Sequence, residues 1–254
     1  MTDTQFKLLK APIIEAVLDI DCDLPPGRDI ALLEPPAHDL LRAQYPSVRR
    51  VFVQTHQIQP QADKPPLLSV HQAVQALQFL SQDEKQLVQY RSQGFSFNRL
   101  APYTSLDEYL PEIERTWKSF VVVAAPLQIR AVRLRYINRI LLPMTEPQLD
   151  LEHYLKVGPR LPDEKKLTFT GFLNQYSAVE FGTGNQVNIV LTTQPPENNN
   201  ILPLIFDITA ECTGTAEVES WTWLSDRIQA LRGLKNRVFR NTLTEKCLNL
   251  FQQP

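Results

Sequence analysis

The chain of 254 residues is 43% hydrophobic and 21% charged, ordinary for a folded protein that buries a proper core. Its formal net charge of -2 supplies no global basic field, so nucleic-acid contact would need a local patch. Only 8 glycines argue against a glycine-built phosphate cradle, and Cys22, Cys212 and Cys247, far apart and in no CxxC pair, against a disulfide framework or a thiolate zinc site.

Residues 13–21 alternate, with Ile14, Ala16, Leu18 and Ile20 on one face and Glu15, Val17, Asp19 and Asp21 on the other, which predicts a half-buried strand. Pro25, Pro26 and Gly27 break it, and a short helix over 30–43 follows, interrupted or started by Pro35 and Pro36. A second strand over 48–59 ends at Pro60, before a polar, proline-marked loop over 61–66. Strands at 74–80 and 86–91 flank a polar gap of hairpin length, and an extended segment continues through Phe95, Ser96 and Phe97. Leu106, Tyr109, Leu110, Ile113, Trp117, Phe120 and Val121 recur at steps of three and four and predict a helix. Pro111 is expected to open its main part, and Pro126 to follow its end.

The second half repeats that order. A long strand over 129–142, a short helix over 149–155, strands at 166–181, 187–193 and 201–212, and a helical stretch over 218–251 are expected. Each half reads β-α-β-β-β-α, so the fold class is α+β with an internal duplication, halves at 10–125 and 126–254 forming one compact domain. The expected sheet is antiparallel and curved with helices on one face, an order shared by the saddle of TATA-binding proteins and by helix-grip folds; this is analogy of fold and implies no function.

The strand over 133–142 carries its arginines on one face: Arg133, Arg135, Ile137 and Arg139 alternate with Leu134, Tyr136, Asn138 and Ile140. Glu15, Val17 and Asp19 have the same spacing as Arg135, Ile137 and Arg139, so the two strands are charge complements. One reading places them together near a pseudo-two-fold axis, Glu15 and Asp19 forming a ladder with Arg135 and Arg139. Cross-strand pairs contribute roughly 0.2–1 kcal/mol each, so such a ladder specifies register more than stability. The other reading turns the arginines toward a groove to bind phosphate or carboxylate. Arg91, Asn98 and Arg99 join Arg133, Arg135 and Arg139 as candidate binding residues, whereas Asn138, on the apolar face, reads as a satisfied buried amide.

The stretches PIIEAV at 12–17, GFSFNRL at 94–100 followed by Pro102 and Tyr103, LRYINRI at 134–140 with Pro143, and DLEHYL at 150–155 with Leu161 and Pro162 together resemble a sporadically distributed family of uncharacterised bacterial and archaeal proteins. The patchy distribution of that family resembles that of genes on mobile or defence-related islands, which implies a role beside a neighbouring gene product.

His38, His56, His71 and His153 show no HxxxH or HExxH spacing, and no GxSxG elbow is present. No metal, cofactor or catalytic set is therefore expected. Gly182 and Gly184 read as hairpin glycines, and residues 162–166 as a solvated loop. Phe95, Phe97, Arg99 and Tyr103 mix aromatic and basic residues as a base-stacking surface does, though core aromatics with a rim arginine explain them as well. Near the C-terminus Leu243, Leu248, Leu250 and Phe251 extend past any evident core partner and suggest burial against a second copy or another protein. The start lacks a signal-like apolar segment and the longest apolar run, 120–127, is too short to span a bilayer, so a cytoplasmic protein without membrane contact is expected. The function expected is a non-catalytic interaction or regulatory protein, antitoxin-like in the sense of the family resemblance. A nucleic-acid or nucleotide-binding module using the arginine strand and an enzyme with a long-range site are the alternatives.

Overall fold

A computed structural model describes residues 8–61, 64–144, 151–162, 166–167, 170–195 and 201–252, with side chains of strand residues 56–61 and 64–69 not included. Strand β1, Ile13–Asp23, alternates as its sequence dictates: Ala16, Leu18, Ile20 and Cys22 are buried, and the odd residues point to the other face. Asp29 caps a single 3-10 turn by accepting from the Ala31 amide at 2.9 Å, and the chain runs on into α1, Glu34–Leu41. Pro35 and Pro36 lie in the first turn of α1, where no intrahelical donor is needed.

Strands β2, Ser47–Gln61, and β3, Lys64–Leu80, extend farther than expected, pairing as far as Gln61 opposite Lys64. The loop expected over 61–66 is thus largely strand. The prolines are tolerated because β2 is an edge strand, and because β4, Gln86–Arg91, pairs with β3 only from Ala76 to Leu80, which leaves the outer part of the ribbon with free edges. Strand β5, Gly94–Leu100, returns beside β1.

Helix α2, Leu106–Ala124, begins at Ser105, whose hydroxyl accepts from the Glu108 amide at 3.4 Å. Pro111 does not open it but lies inside it. The Ser105 cap and the acidic first turn, Asp107 and Glu108, hold the start, so the lost proline donor does not shift it. Left-handed Ala125 ends the helix.

Strand β6 is Gln128–Pro143, followed by a 3-10 turn at Leu151–His153, β7 at Leu173–Val179, β8 at Gln186–Thr193 and β9 at Ile201–Ala216. Lys166 and Leu167, expected in a strand, lie outside one. The helical C-terminus is two helices, α3, Trp221–Thr242, and α4, Glu245–Asn249, separated by extended Leu243, which forms a bridge with Leu155.

The protein is α+β, and its nine strands form one antiparallel sheet in the order β2-β3-β4-β5-β1-β6-β9-β8-β7. At its centre β1 and β6 pair with Leu18 opposite Leu134. One core cluster joins the even-numbered residues of β1 and β6 to residues of α1, α2 and α3. Trp117, Phe95, Phe120 and Tyr90 form its aromatic centre, with ring centroids 5.0–6.5 Å apart.

The C-terminal expectation needs correction. Leu243 and Phe251 are buried, Leu248 and Leu250 pack against the same core, and the Phe251 ring lies 6.2 Å from that of Phe239. The break at Leu243 folds α4 back, so these apolar residues find their partner within the chain. No helix among the described residues is long and apolar enough to cross a membrane.

All three cysteines are free thiols; burial pushes Cys22 and Cys247 up to about 12 and also raises half-buried Cys212. At pH 8 under native conditions a thiol reagent is therefore expected to react slowly with Cys212 alone, and with all three after denaturation. Rapid native reaction of Cys22 or Cys247, located by mass spectrometry, would contradict that burial.

Candidate functional site

The face of the sheet opposite the helices collects the odd-numbered residues of β1 and those of β6 from Arg133 to Arg139, and the irregularity between Ile129 and Ala131 brings Arg130 to it as well. Across it runs a chain of side-chain hydrogen bonds, each link joining neighbouring strands. Gln78 donates to Gln89 at 3.0 Å, Gln89 to Asn98 at 3.0 Å, and Asn98 to Glu15 at 2.8 Å. Two same-face positions along β1 from Glu15, Asp19 accepts a short hydrogen bond from Ser96.

The charged centre lies beside this chain. Asp21 accepts from Arg91 at 3.1 Å and from Arg133 in a short contact; Arg91 also reaches Asp19 at 3.3 Å, and Arg133 reaches Glu211 on β9 at 3.3 Å. Arg135 grips Asp207, its Nε 3.0 Å from both carboxylate oxygens and a terminal nitrogen 2.5 Å from one. Arg130 pairs with Asp23 at 3.0 Å. The hydrogen bond that Arg135 donates to Asp207, together with the charge of that carboxylate, raises the Arg135 value despite partial burial. For Arg133 burial is the largest influence and pulls downward, but the charge and hydrogen bond of Asp21, with Glu211, outweigh it and leave the value raised.

The two complementary strands are thus neighbours, but the register differs from that behind the expected pairs. Val17 stands opposite Arg135, not Ile137, and Asp19 opposite Arg133. This offset carries Arg139 to the end of β1, where its amide donates to the Pro12 carbonyl at 2.8 Å and its side chain to Gln194 at 3.2 Å. Glu15 meets Asn98, Asp19 meets Ser96 and Arg91, and the direct carboxylate for Arg135 is Asp207. Asp21, Asp207 and Glu211 are the members that sequence reasoning missed. Their alternation within β1 and β9 was readable, but which arginine each would meet was not.

Of the six candidate binding residues, Arg91, Asn98, Arg133, Arg135 and Arg139 share this face, whereas Arg99 does not. Arg99 follows Phe95 and Phe97 onto the helix-covered side, with its guanidinium 5.3 Å from the Tyr109 ring centroid. Strand alternation separates it from its sequence neighbour Asn98. Asn138 is a buried amide that donates to the carbonyl of Phe206 at 2.8 Å and of Tyr136 at 3.3 Å. Among the described residues no three His, Cys, Asp or Glu side chains gather as a metal site.

Asp21 is the acceptor shared by two arginines, and the side chains of all three are at most 26% exposed. Asp21→Asn keeps the shape and removes the charge that both guanidinium groups require. Partial solvation discounts the full cost of breaking a buried pair, leaving an expected loss of about 1–3 kcal/mol. Urea denaturation checks this; an unchanged midpoint would mean that solvent already screens the cluster.

Comparison with protein-family profiles, with curated proteins and with solved structures finds no match to the chain.

Proposed function

We propose that this is a cytoplasmic, non-catalytic interaction protein that presents the open face of its sheet to a partner protein. The observation that carries the reading is the charge balance of that face. Among the described residues of its central strands, Glu15, Asp19, Asp21, Asp23, Asp207 and Glu211 outnumber Arg91, Arg130, Arg133, Arg135 and Arg139, and Arg91, Arg130, Arg133 and Arg135 are ion-paired across or between strands. A phosphate backbone requires surplus positive charge, whereas a mixed-charge plane of fixed side chains suits the polar surface of a protein. The buried free thiols accord with a reducing compartment.

We also infer that the chain is a duplication, with halves at 10–125 and 126–254 in one domain and a saddle-like sheet of the kind seen in TATA-binding proteins. In support, β1 and β6 open the two halves and pair at the sheet centre, and each is followed outward by the last strand of its own half, β5 or β9, then by the preceding ones in reverse order.

The test is affinity capture from the native host at near-physiological salt, with and without nuclease, using the wild type and Thr209→Trp. Thr209 lies on the open face opposite Arg135, and the change obstructs that face without removing an ion pair. A stoichiometric protein that survives nuclease and is lost with Thr209→Trp is the expected result. Recovery of nucleic acid alone, or a partner indifferent to the substitution, overturns the reading.

A further inference from the structure

The nine-stranded sheet ends at β2 on one side and at β7 on the other, and each edge presents a row of backbone donors and acceptors that no further strand pairs among the described residues. The two edges are not alike. The β2 side carries Arg49 and Arg50, a register irregularity between Val51 and Phe52, and Pro60, while Pro65 and Pro66 follow on β3. Charge, irregular pairing and proline are the features that keep an edge from adding another strand. Strand β7, LNQYSAV, has no charge and no proline, and its register with β8 is unbroken from Leu173 to Val179.

Glu180, the charge that adjoins β7, is held within the chain by Thr183, Asn185 and Arg237. The hydrogen bonds at the two ends of the pairing with β8 fix which groups point outward. The Phe172 carbonyl accepts from the Thr193 amide and the Glu180 amide donates to the Asn185 carbonyl, so the even-numbered residues face β8. Strand alternation then turns the N–H and C=O of Leu173, Gln175, Ser177 and Val179 to the free edge. The side chains of Leu173 and Val179 are 69% and 66% exposed, and Phe181, just past the strand, is fully exposed, whereas Tyr176 packs against the core.

The pattern along this edge complements itself. When two copies of β7 run antiparallel about a two-fold axis at Tyr176, all 7 residues overlap: Leu173 falls opposite Val179, Asn174 opposite Ala178, Gln175 opposite Ser177, and Tyr176 opposite its counterpart. Apolar meets apolar, amide meets hydroxyl and ring meets ring. The same register makes the pairs of Leu173 with Val179 and of Gln175 with Ser177 the hydrogen-bonded ones, so every outward N–H and C=O of these residues gains a partner. Continued past the strand, it sets Phe181 opposite Gly171, where the missing side chain leaves room for the ring. A shift of the axis by one residue either way shortens the overlap and sets Leu173 against Ser177 or Gln175 against Val179. We infer that β7 pairs with β7 of a second copy in this register, joining two sheets into one across the two-fold axis. The interface is the edge of the sheet rather than its open face, so the inference does not depend on the proposed sheet-face interaction.

The experiment is sedimentation velocity of the full chain from about 1 to 300 µM, because pairing along one short strand is a small interface with an expected dissociation constant of about 1–100 µM. The wild type is expected to pass from monomer to dimer within that range. Val179→Lys and Leu173→Glu each leave a charge against an apolar side chain of the second copy, and each is expected to weaken the dimer about tenfold or more. Combined in one chain, the two substitutions set opposite charges against each other at both ends of the interface, and the double variant is expected to dimerise more tightly than either single one. Both positions are exposed in the monomer, so Tm at the lowest concentration should move by no more than about 2 °C, which separates lost pairing from lost folding. A monomer throughout the range, growth beyond a dimer, association indifferent to either single substitution, or a double variant that dimerises no better than the single ones overturns the assignment.

Discussion

Gly94→Ala is expected to destabilise the protein by about 3–5 kcal/mol, among the largest effects of any single methyl group in this chain. Gly94 opens β5 at φ +137, a conformation that L side chains rarely adopt. A β-carbon there would sit 2.1 Å from the Ile20 carbonyl oxygen and 2.9 Å from the Cys22 amide nitrogen, both in the backbone of β1. Neither can move aside as a flexible side chain would, so β5 must separate from β1 or the turn must rearrange. Since Ser96 and Asn98 reach Asp19 and Glu15 across that same pairing, the open face should lose order along with stability. Domains commonly retain only about 5–15 kcal/mol in total, so the variant should show a much lower urea midpoint or accumulate as insoluble protein. A midpoint within about 0.5 kcal/mol of wild type would mean that β5 does not approach β1 as closely as described.

Trp117→Ala is the second large effect, expected at about 3–5 kcal/mol. Trp117 is 1% exposed, meets Phe95 edge-on at 5.7 Å and Phe120 at 5.6 Å, and donates from its indole nitrogen to the Val218 carbonyl at 3.2 Å. Alanine would leave a large void between rings that cannot collapse without disturbing the sheet, and would also leave the Val218 carbonyl without this donor. Trp117→Phe separates the two contributions: it keeps most of the packing and loses the hydrogen bond, for an expected cost of about 1–2 kcal/mol. This bond ties α2 to the segment entering α3. Denaturation monitored by far-UV circular dichroism measures both losses. Equal stability losses for alanine and phenylalanine would assign the indole's contribution to its hydrogen bond rather than to its volume.

Local chemistry determined the elements of this protein. The alternation of Ala16, Leu18 and Ile20 with Glu15, Asp19 and Asp21 decides that β1 is a strand with one apolar face, because successive side chains point to opposite sides. The helical spacing of Leu106, Ile113, Trp117 and Phe120 decides α2 in the same way, and all four are buried. Even the separation of Arg99 from Asn98 follows from strand alternation. The reach of β2 and β3 past Pro60 and Pro65 did not: a proline excludes a paired interior strand, and only the sheet order shows that this ribbon has free edges.

Partnership was the work of the tertiary structure. Alternation assigns a residue to a face but not to a neighbour, since strand order and register depend on hydrogen bonds between segments distant in sequence. The two-residue offset between β1 and β6 gives Arg133 to Asp21, and the register of β9 on β6 gives Arg135 to Asp207 and Arg133 to Glu211. The cavity between the start of α2 and α3 is still less local, for its lining residues Tyr103, Tyr136 and Asn236 come from a loop, a central strand and a late helix. The C-terminal apolar residues look unpartnered in sequence because nothing nearby matches them, and packing of α4 against α3 and the chain near Lys10 supplies what they lacked.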